Sequence, residues 1–168
     1  MPEIAEVETV RNTLKKKILH LHIMEVRVLY PKMIESNLDE FISTIPGCEI
    51  KDILRCGKWL MFDLGTYYLI SHLRMEGKYF IKAHDEAIAK HEHVIFTLND
   101  GHDLRYHDTR KFGRMRLVEK NAINECIEIQ KQGLEPGSKE LTGSYLLTKI
   151  KNKRLAIKTV LLDQTIIS

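Results

Sequence analysis

The sequence predicts an α+β protein: a sandwich or barrel of short strands with helices before and after it. Three observations carry this. Residues 3–19 have helical apolar spacing, residues 22–120 hold short alternating runs separated by turn signals, and helical patterning returns after residue 121.

The first segment, "EIAEVETVRNTLKKKIL" (3–19), sets Ile4, Val7, Val10, Leu14 and Ile18 at spacings of three and four, which is one face of a helix. Glu3, Glu6 and Glu8 open it and Lys15, Lys16 and Lys17 close it, as the helix dipole favours. Strands are expected at 22–30, 48–56, 58–64, 67–73, 93–100, 102–108 and 114–120. Asn99-Asp100-Gly101 marks a hairpin between two of them. Residues 121–133 read as a helix ending at Gly133, residues 134–143 as a Gly- and Pro-bearing hinge, and 144–153 and 154–164 as two further helices. Two helices are too few for a core of their own, and the chain stops on an apolar run. The expected organisation is therefore a domain over 1–132 and, over 133–168, a hinge and the beginning of an incomplete second domain.

Composition narrows the class. Apolar residues make up 43% and charged residues 29% of 168, as in soluble globular proteins. No apolar run reaches the roughly 18 residues of a membrane span, and the acidic start lacks a signal-peptide layout. A cytoplasmic location is expected. Cys48, Cys56 and Cys126 are odd in number and scattered, which argues against a disulfide framework or a zinc site. Net charge is only +3, but "RYHDTRKFGRMR" (105–116) concentrates five basic residues against one Asp, a local stripe suited to a polyanion.

Chemistry is suggested at a few positions. If Met1 is removed, Pro2 carries a free secondary amine at a helix N-terminus. An α-amine has a pKa of about 7.7–8.0, lowered further by the helix dipole, so it is a competent nucleophile near neutrality. Attack on a sugar carbon gives an iminium, and the adjacent Glu3 can move protons. Proline and glutamate are also ordinary first-turn residues, so this pair alone is weak evidence. Lys58 follows Gly57 at the start of a strand, as a phosphate contact or a solvated edge residue. Met75 and Phe112 are apolar residues in charged turns, "SHLRMEGKY" (71–79) and "DTRKFG" (108–113). Each is either a core plug or a wedge for a base stack. His91 and His93 share one side of an expected strand, but nothing completes a metal site around them. A phosphate-facing His91 fits better.

Taken together, these motifs resemble the formamidopyrimidine-DNA glycosylase family. The resembling stretches are "PEIAEVE" (2–8), "RCGK" (55–58), "SHLRMEG" (71–77), "HEHV" (91–94), "DGHDLRYHDTRKFG" (100–113), "GLEP" (133–136) and "IKTVLLDQ" (157–164), which run in order along the whole chain. The resemblance implies a two-layer antiparallel β-sandwich flanked by helices, then the first helices of a helix–two-turn–helix domain. It implies a bifunctional glycosylase and AP lyase that removes oxidised purines, such as 8-oxoguanine and formamidopyrimidines, from double-stranded DNA. Strand nicking at abasic sites would follow by β- and δ-elimination.

The roles it implies are specific. Pro2 attacks C1′, Glu3 is the general acid/base, Glu6 lines the pocket, and Lys58 contacts the lesion nucleotide. Met75, Arg110 and Phe112 fill the gap left by the flipped base, with Arg110 reading the orphaned partner. His91 and Lys111 hold phosphates, and Lys158 approaches the lesion from the second domain. The family's later "GxGNIY" motif and four-cysteine zinc finger have no counterpart in residues 1–168, so no cofactor is expected in this chain. A monomer with weak DNA binding and little turnover by itself is expected. The alternatives are a non-catalytic protein that binds damaged DNA and a basic β-rich protein associated with RNA.

Overall fold

The computed structural model describes residues 2–168. Helix α1 (Ile4–Ile18) is followed by strand β1 (Ile23–Val28), a 3-10 turn at Pro31–Met33 and helix α2 (Leu38–Thr44). Strands β2 (Asp52–Cys56), β3 (Trp59–Asp63), β4 (Tyr67–His72), β5 (Lys78–Ala83), β6 (Glu92–Leu98), β7 (His102–His107) and β8 (Arg114–Glu119) come next. A 3-10 segment at Lys120–Glu125 leads to short helices α3 (Ile127–Gln130), α4 (Gly143–Ile150) and α5 (Ile157–Leu161).

The strands form two four-stranded antiparallel sheets, in the orders β1-β6-β7-β5 and β2-β3-β4-β8. The main core lies between them. Val26, Val94, Phe96, Leu104 and Tyr106 of the first sheet meet Ile53, Leu60, Phe62, Leu69 and Met115 of the second. Val7, Leu14 and Ile18 give α1 a buried face within the same core, against β2 and β3. A smaller cluster of Trp59, Met61, Tyr68, Ile70 and Cys126 covers the outer face of the second sheet. This is why β3 is buried on both faces and reads as a continuous apolar run instead of an alternation.

Several expectations need correction. Residues 48–51 precede β2, because His22 and Glu49 form only an isolated bridge there. The helix expected over 121–133 is a 3-10 segment and one α turn, and the last expected helix shrinks to α5. Helix α2 and strand β5 were missed. Asn37 caps α2 by accepting from the Glu40 N–H at 3.0 Å, a signal visible as "SNLDE". In β5 the half-buried, polar-rich "KYFIKA" alternates weakly because it is an edge strand.

Two features of this topology build the site. β4 of the second sheet crosses to β5 of the first, and β7 of the first crosses back to β8 of the second. The register pairs His72 with Arg114 and Lys78 with His107, so the two crossover loops, 73–77 and 108–113, leave the same end of the sandwich side by side.

Candidate active site and nucleic-acid interface

The start of α1 meets the two-residue turn between β2 and β3. Cys56 pairs with Trp59, which leaves Gly57 and Lys58 as the turn, with Gly57 at φ +55°. Lys58 is not the solvated edge residue that its sequence context allowed. It is buried, and its ammonium lies 2.7 Å from the Glu3 carboxylate. The Glu3 N–H donates to the Glu6 carboxylate at 2.7 Å, so both glutamates are ordered around the helix start. Met1 lies outside the described residues, and with it the expectation that it is removed.

The turn is held from outside by a residue that sequence reasoning missed. The Glu135 carboxylate accepts from the Gly57 N–H at 2.8 Å and from the Arg55 guanidinium at 2.8–2.9 Å. Arg55 also donates to Glu8 of α1 at 2.9 Å, and this bond comes first in holding the Glu8 carboxyl below its usual range. The signal was present in "GLEP", where the glutamate beside a proline in a hinge was assigned no task. The hinge also runs beside the chain end: Leu134 and Ile167 form a parallel bridge.

Pro2, Glu6, Leu73, Met75 and Tyr79 line one open cavity of about 320 Å³. A second of about 170 Å³ lies between Glu3, Lys58, Leu161 and Ser168. Lys158 is on α5, exposed, and does not line either cavity.

Met75 also borders a depression of about 440 Å³ shared with Arg74, Arg110, Phe112 and Arg114. Met75 is 43% and Phe112 45% exposed, so neither is a core plug. The Arg110 guanidinium stacks 4.8 Å from the Phe112 ring centroid. The buried Asp108 carboxylate shapes this loop by accepting from the Arg110 N–H at 3.0 Å and the Gly113 N–H at 2.7 Å. Four described non-glycine residues have left-handed backbone, and three of them are Arg74, His91 and Lys111. Such conformations are costly for these residue types and gather where function demands a particular aim.

The basic stripe does not survive as a single surface. Arg105 is fully buried, paired with Asp103 at 3.0 Å and Glu92 at 3.0 Å, and donates to the Ala83, Glu86 and Ala87 carbonyls. Arg114 pairs with Glu35 and Arg116 with Glu128. Among the described residues, Arg110 and Lys111 have no carboxylate at ion-pair distance, and they are the two members assigned to DNA.

His91 precedes β6 instead of lying on it, and a bulge between Glu92 and Val94 breaks the expected strand parity. Its ring still lies 6.3 Å from that of His93 and 5.8 Å from that of His107. Desolvation, then Lys90 and the neighbouring histidines, lowers its pKa. His72, beneath the Met75 loop, falls to about 4 through burial and the nearby Arg74 and Lys58 charges. Its neutral Nδ1 accepts the Arg74 N–H at 2.9 Å.

The cysteines do not assemble. No group of three or more His, Cys, Asp or Glu among the described residues is placed to hold a metal, so the donors present do not fit a four-cysteine zinc site.

Pro2, the Glu3–Lys58 pair and the exposed tips Met75 and Phe112 with their neighbouring arginines thus line adjoining cavities on one sandwich scaffold. Residues 1–115 match the model of the formamidopyrimidine-DNA glycosylase N-terminal domain. Along its whole length the chain is 44% identical to the formamidopyrimidine-DNA glycosylase of Ligilactobacillus salivarius, covering 61% of that protein. It is 46% identical to that of Enterococcus faecalis, covering 60%. Among solved structures, the Lactococcus lactis Fpg in complex with abasic-site DNA superposes with a TM-score of 0.92. Identity there is 34%, over 99% of this chain and 62% of that one. The same organism's protein with FAPY-dG-containing DNA gives a TM-score of 0.92 at 34% identity, covering 99% and 63%. The chain belongs to the formamidopyrimidine-DNA glycosylase family, and it spans about three-fifths of the length of these relatives.

Proposed function

We propose that this chain carries the nucleophile-bearing part of a DNA base-excision enzyme, a bifunctional glycosylase and AP lyase acting on oxidised purines and abasic sites in duplex DNA. The observation that carries the reading is that Pro2 and Met75 line one cavity, while Met75 also borders the depression of Arg110 and Phe112. A nucleotide turned out of the stack would thus face the amine while the gap it leaves faces the apolar tips. Eversion is required because the glycosidic bond is inaccessible inside a stacked duplex.

With Met1 removed, the Pro2 nitrogen lone pair forms a bond to C1′ as the bond from C1′ to the base breaks. The base departs with the electron pair and is protonated by solvent, while the Pro2 N–H proton passes to the Glu3 carboxylate. Glu3, held by Lys58, then gives that proton to O4′ as the bond from C1′ to O4′ breaks and the sugar ring opens. The product is an iminium between Pro2 and C1′. Its electron-withdrawing character acidifies C2′, so loss of that proton expels the 3′ phosphate, and a second elimination expels the 5′ phosphate. His91 and Lys111 serve as phosphate contacts, Glu6 as a pocket wall, and Lys158 as a group that reaches DNA from the second unit. The reading implies a cytoplasmic monomer acting on nucleoid DNA.

Borohydride trapping tests this. The chain is extended with the part of the Ligilactobacillus salivarius relative beyond the matched region, and loss of Met1 is verified by mass spectrometry. A covalent adduct on abasic-site and oxidised-purine duplexes is expected, and Pro2→Gly should abolish it. No adduct, or an adduct that survives Pro2→Gly, overturns the catalytic role; damage-specific binding without an adduct supports the non-catalytic alternative.

A further inference from the structure

The two loops that carry the exposed tips are built alike. Each has a left-handed residue directly before the tip, Arg74 (φ 55°) before Met75 and Lys111 (φ 58°) before Phe112. Each closes on a glycine shortly after it, Gly77 and Gly113. Both glycines press on the same atom. A Cβ placed on Gly77 would stand 2.1 Å from the Tyr106 hydroxyl oxygen, and one on Gly113 would stand 1.8 Å from it. Real Cβ atoms do not approach so closely, so each loop packs against that oxygen through a bare backbone.

Tyr106 is fully buried, and its hydroxyl has no hydrogen-bond partner among the described residues. Its ring is fixed edge-on to Tyr79 at 5.1 Å, and the Tyr79 hydroxyl is itself committed to Ser71 at 2.7 Å. A buried hydroxyl without a partner is unfavourable, and a phenylalanine here would avoid it. The oxygen is thus best explained by the volume it fills between the two loops.

We infer that Tyr106 is a positioning residue whose hydroxyl spaces the Met75 loop against the Phe112 loop, so that the two tips enter a duplex as one unit. This rests on the wedge role in the proposed function. The hydroxyl makes no contact with DNA. It acts by fixing one loop against the other, and the glycines are required because any side chain would push the loops apart.

The test titrates this 168-residue chain into a duplex carrying a tetrahydrofuran abasic-site analogue with 2-aminopurine as the orphaned base. A double-mutant cycle between Met75→Ala and Phe112→Ala is run in the wild type and again in Tyr106→Phe. In the wild type the tips should be coupled by about tenfold in affinity. In Tyr106→Phe the coupling should fall below about twofold, with binding to a single-stranded abasic oligonucleotide unchanged. A purely structural role would instead lower the unfolding midpoint and both kinds of binding together, leaving the coupling intact. If Met75→Ala and Phe112→Ala leave duplex binding unchanged, the wedge reading fails and this inference falls with it. If they weaken binding but coupling survives Tyr106→Phe, this inference alone is overturned. Gly113→Ala provides a second route: it should weaken duplex binding, with partial recovery in combination with Tyr106→Phe, and no recovery counts against the spacer role.

Discussion

The Lys58 ammonium stands 2.7 Å from the Glu3 carboxylate, joining the turn after β2 to the first residues of α1. The contact is held from two sides, by the Glu135 carboxylate on the Gly57 N–H and by the capped start of the helix. The proton transfer proposed for Glu3 depends on aim, and the Glu3 carboxylate is fixed through residues of three segments distant in sequence.

Lys58→Ala should therefore slow Pro2 adduct formation by about 10²-fold while leaving the fold intact, because Glu3 is exposed enough to be solvated without its partner. Single-turnover trapping rates and the thermal midpoint, measured together, check this. Glu135→Gln should produce a smaller loss of the same kind, since it weakens the hold on Gly57 without touching Lys58 itself.

Asp108 should matter for stability and for damage recognition at once. Its buried carboxylate accepts two backbone N–H groups that set the Arg110–Phe112 loop. Asp108→Asn turns one acceptor into a donor facing an N–H, at a cost of about 2 kcal/mol. Urea unfolding measures that cost. Binding to an abasic-site duplex should fall further than binding to single-stranded DNA.

The proposed function gives the neighbours Arg110 and Lys111 separable tasks. Lys111→Gln should weaken binding to all duplexes alike and reduce the slope of log K against log salt by about 0.9. Arg110→Gln should instead lose discrimination between orphaned bases, by about 1–3 kcal/mol, with a smaller change in salt dependence. Fluorescence titrations at several salt concentrations separate the two.

His72 predicts a pH dependence of stability. The unfolded imidazole takes up a proton near pH 6.5, but the folded one only near pH 4, chiefly because burial disfavours the charged form. Between these values the unfolded state binds more protons. Stability is thus complete above about pH 6.5 and falls as pH drops towards 4, by at most about 3 kcal/mol. Protonation of the folded imidazole, which comes only near pH 4, also removes the Nδ1 acceptor of the Arg74 N–H, so the Met75 loop loosens only as that pH is reached. His72→Asn retains an acceptor without a titration, and the slope between pH 6.5 and 4 measured by urea unfolding should flatten.

The legible part of this protein was what local chemistry encodes. α1 follows from the spacing of Val7, Leu14 and Ile18, and the β6–β7 hairpin follows from Asn99-Asp100-Gly101. Met75 and Phe112 could be singled out because each is an apolar residue in a charged turn, and Pro2 with Glu3 because their pairing puts a carboxylate beside a proline nitrogen, though either residue is ordinary in a first helical turn. β5 was hidden because an edge strand has little reason to alternate strictly, and α2 because seven residues give too short a period to detect.

The sequence alone determined which residue types were available for chemistry, and in which local conformations. Which of them meet was decided only by the tertiary structure. Arg105 and Arg110 look equivalent in "RYHDTRKFGR", yet burial of Asp103 and Glu92 draws one into an ion-paired interior, while the Asp108 turn holds the other outward. Lys58 finds Glu3, Glu135 finds Gly57, and Gly77 and Gly113 find one tyrosine oxygen, across separations of tens of residues. Such contacts depend on how two sheets stack and where their crossovers emerge. No window of sequence contains that information, because the free energy that selects it comes from burying the shared core.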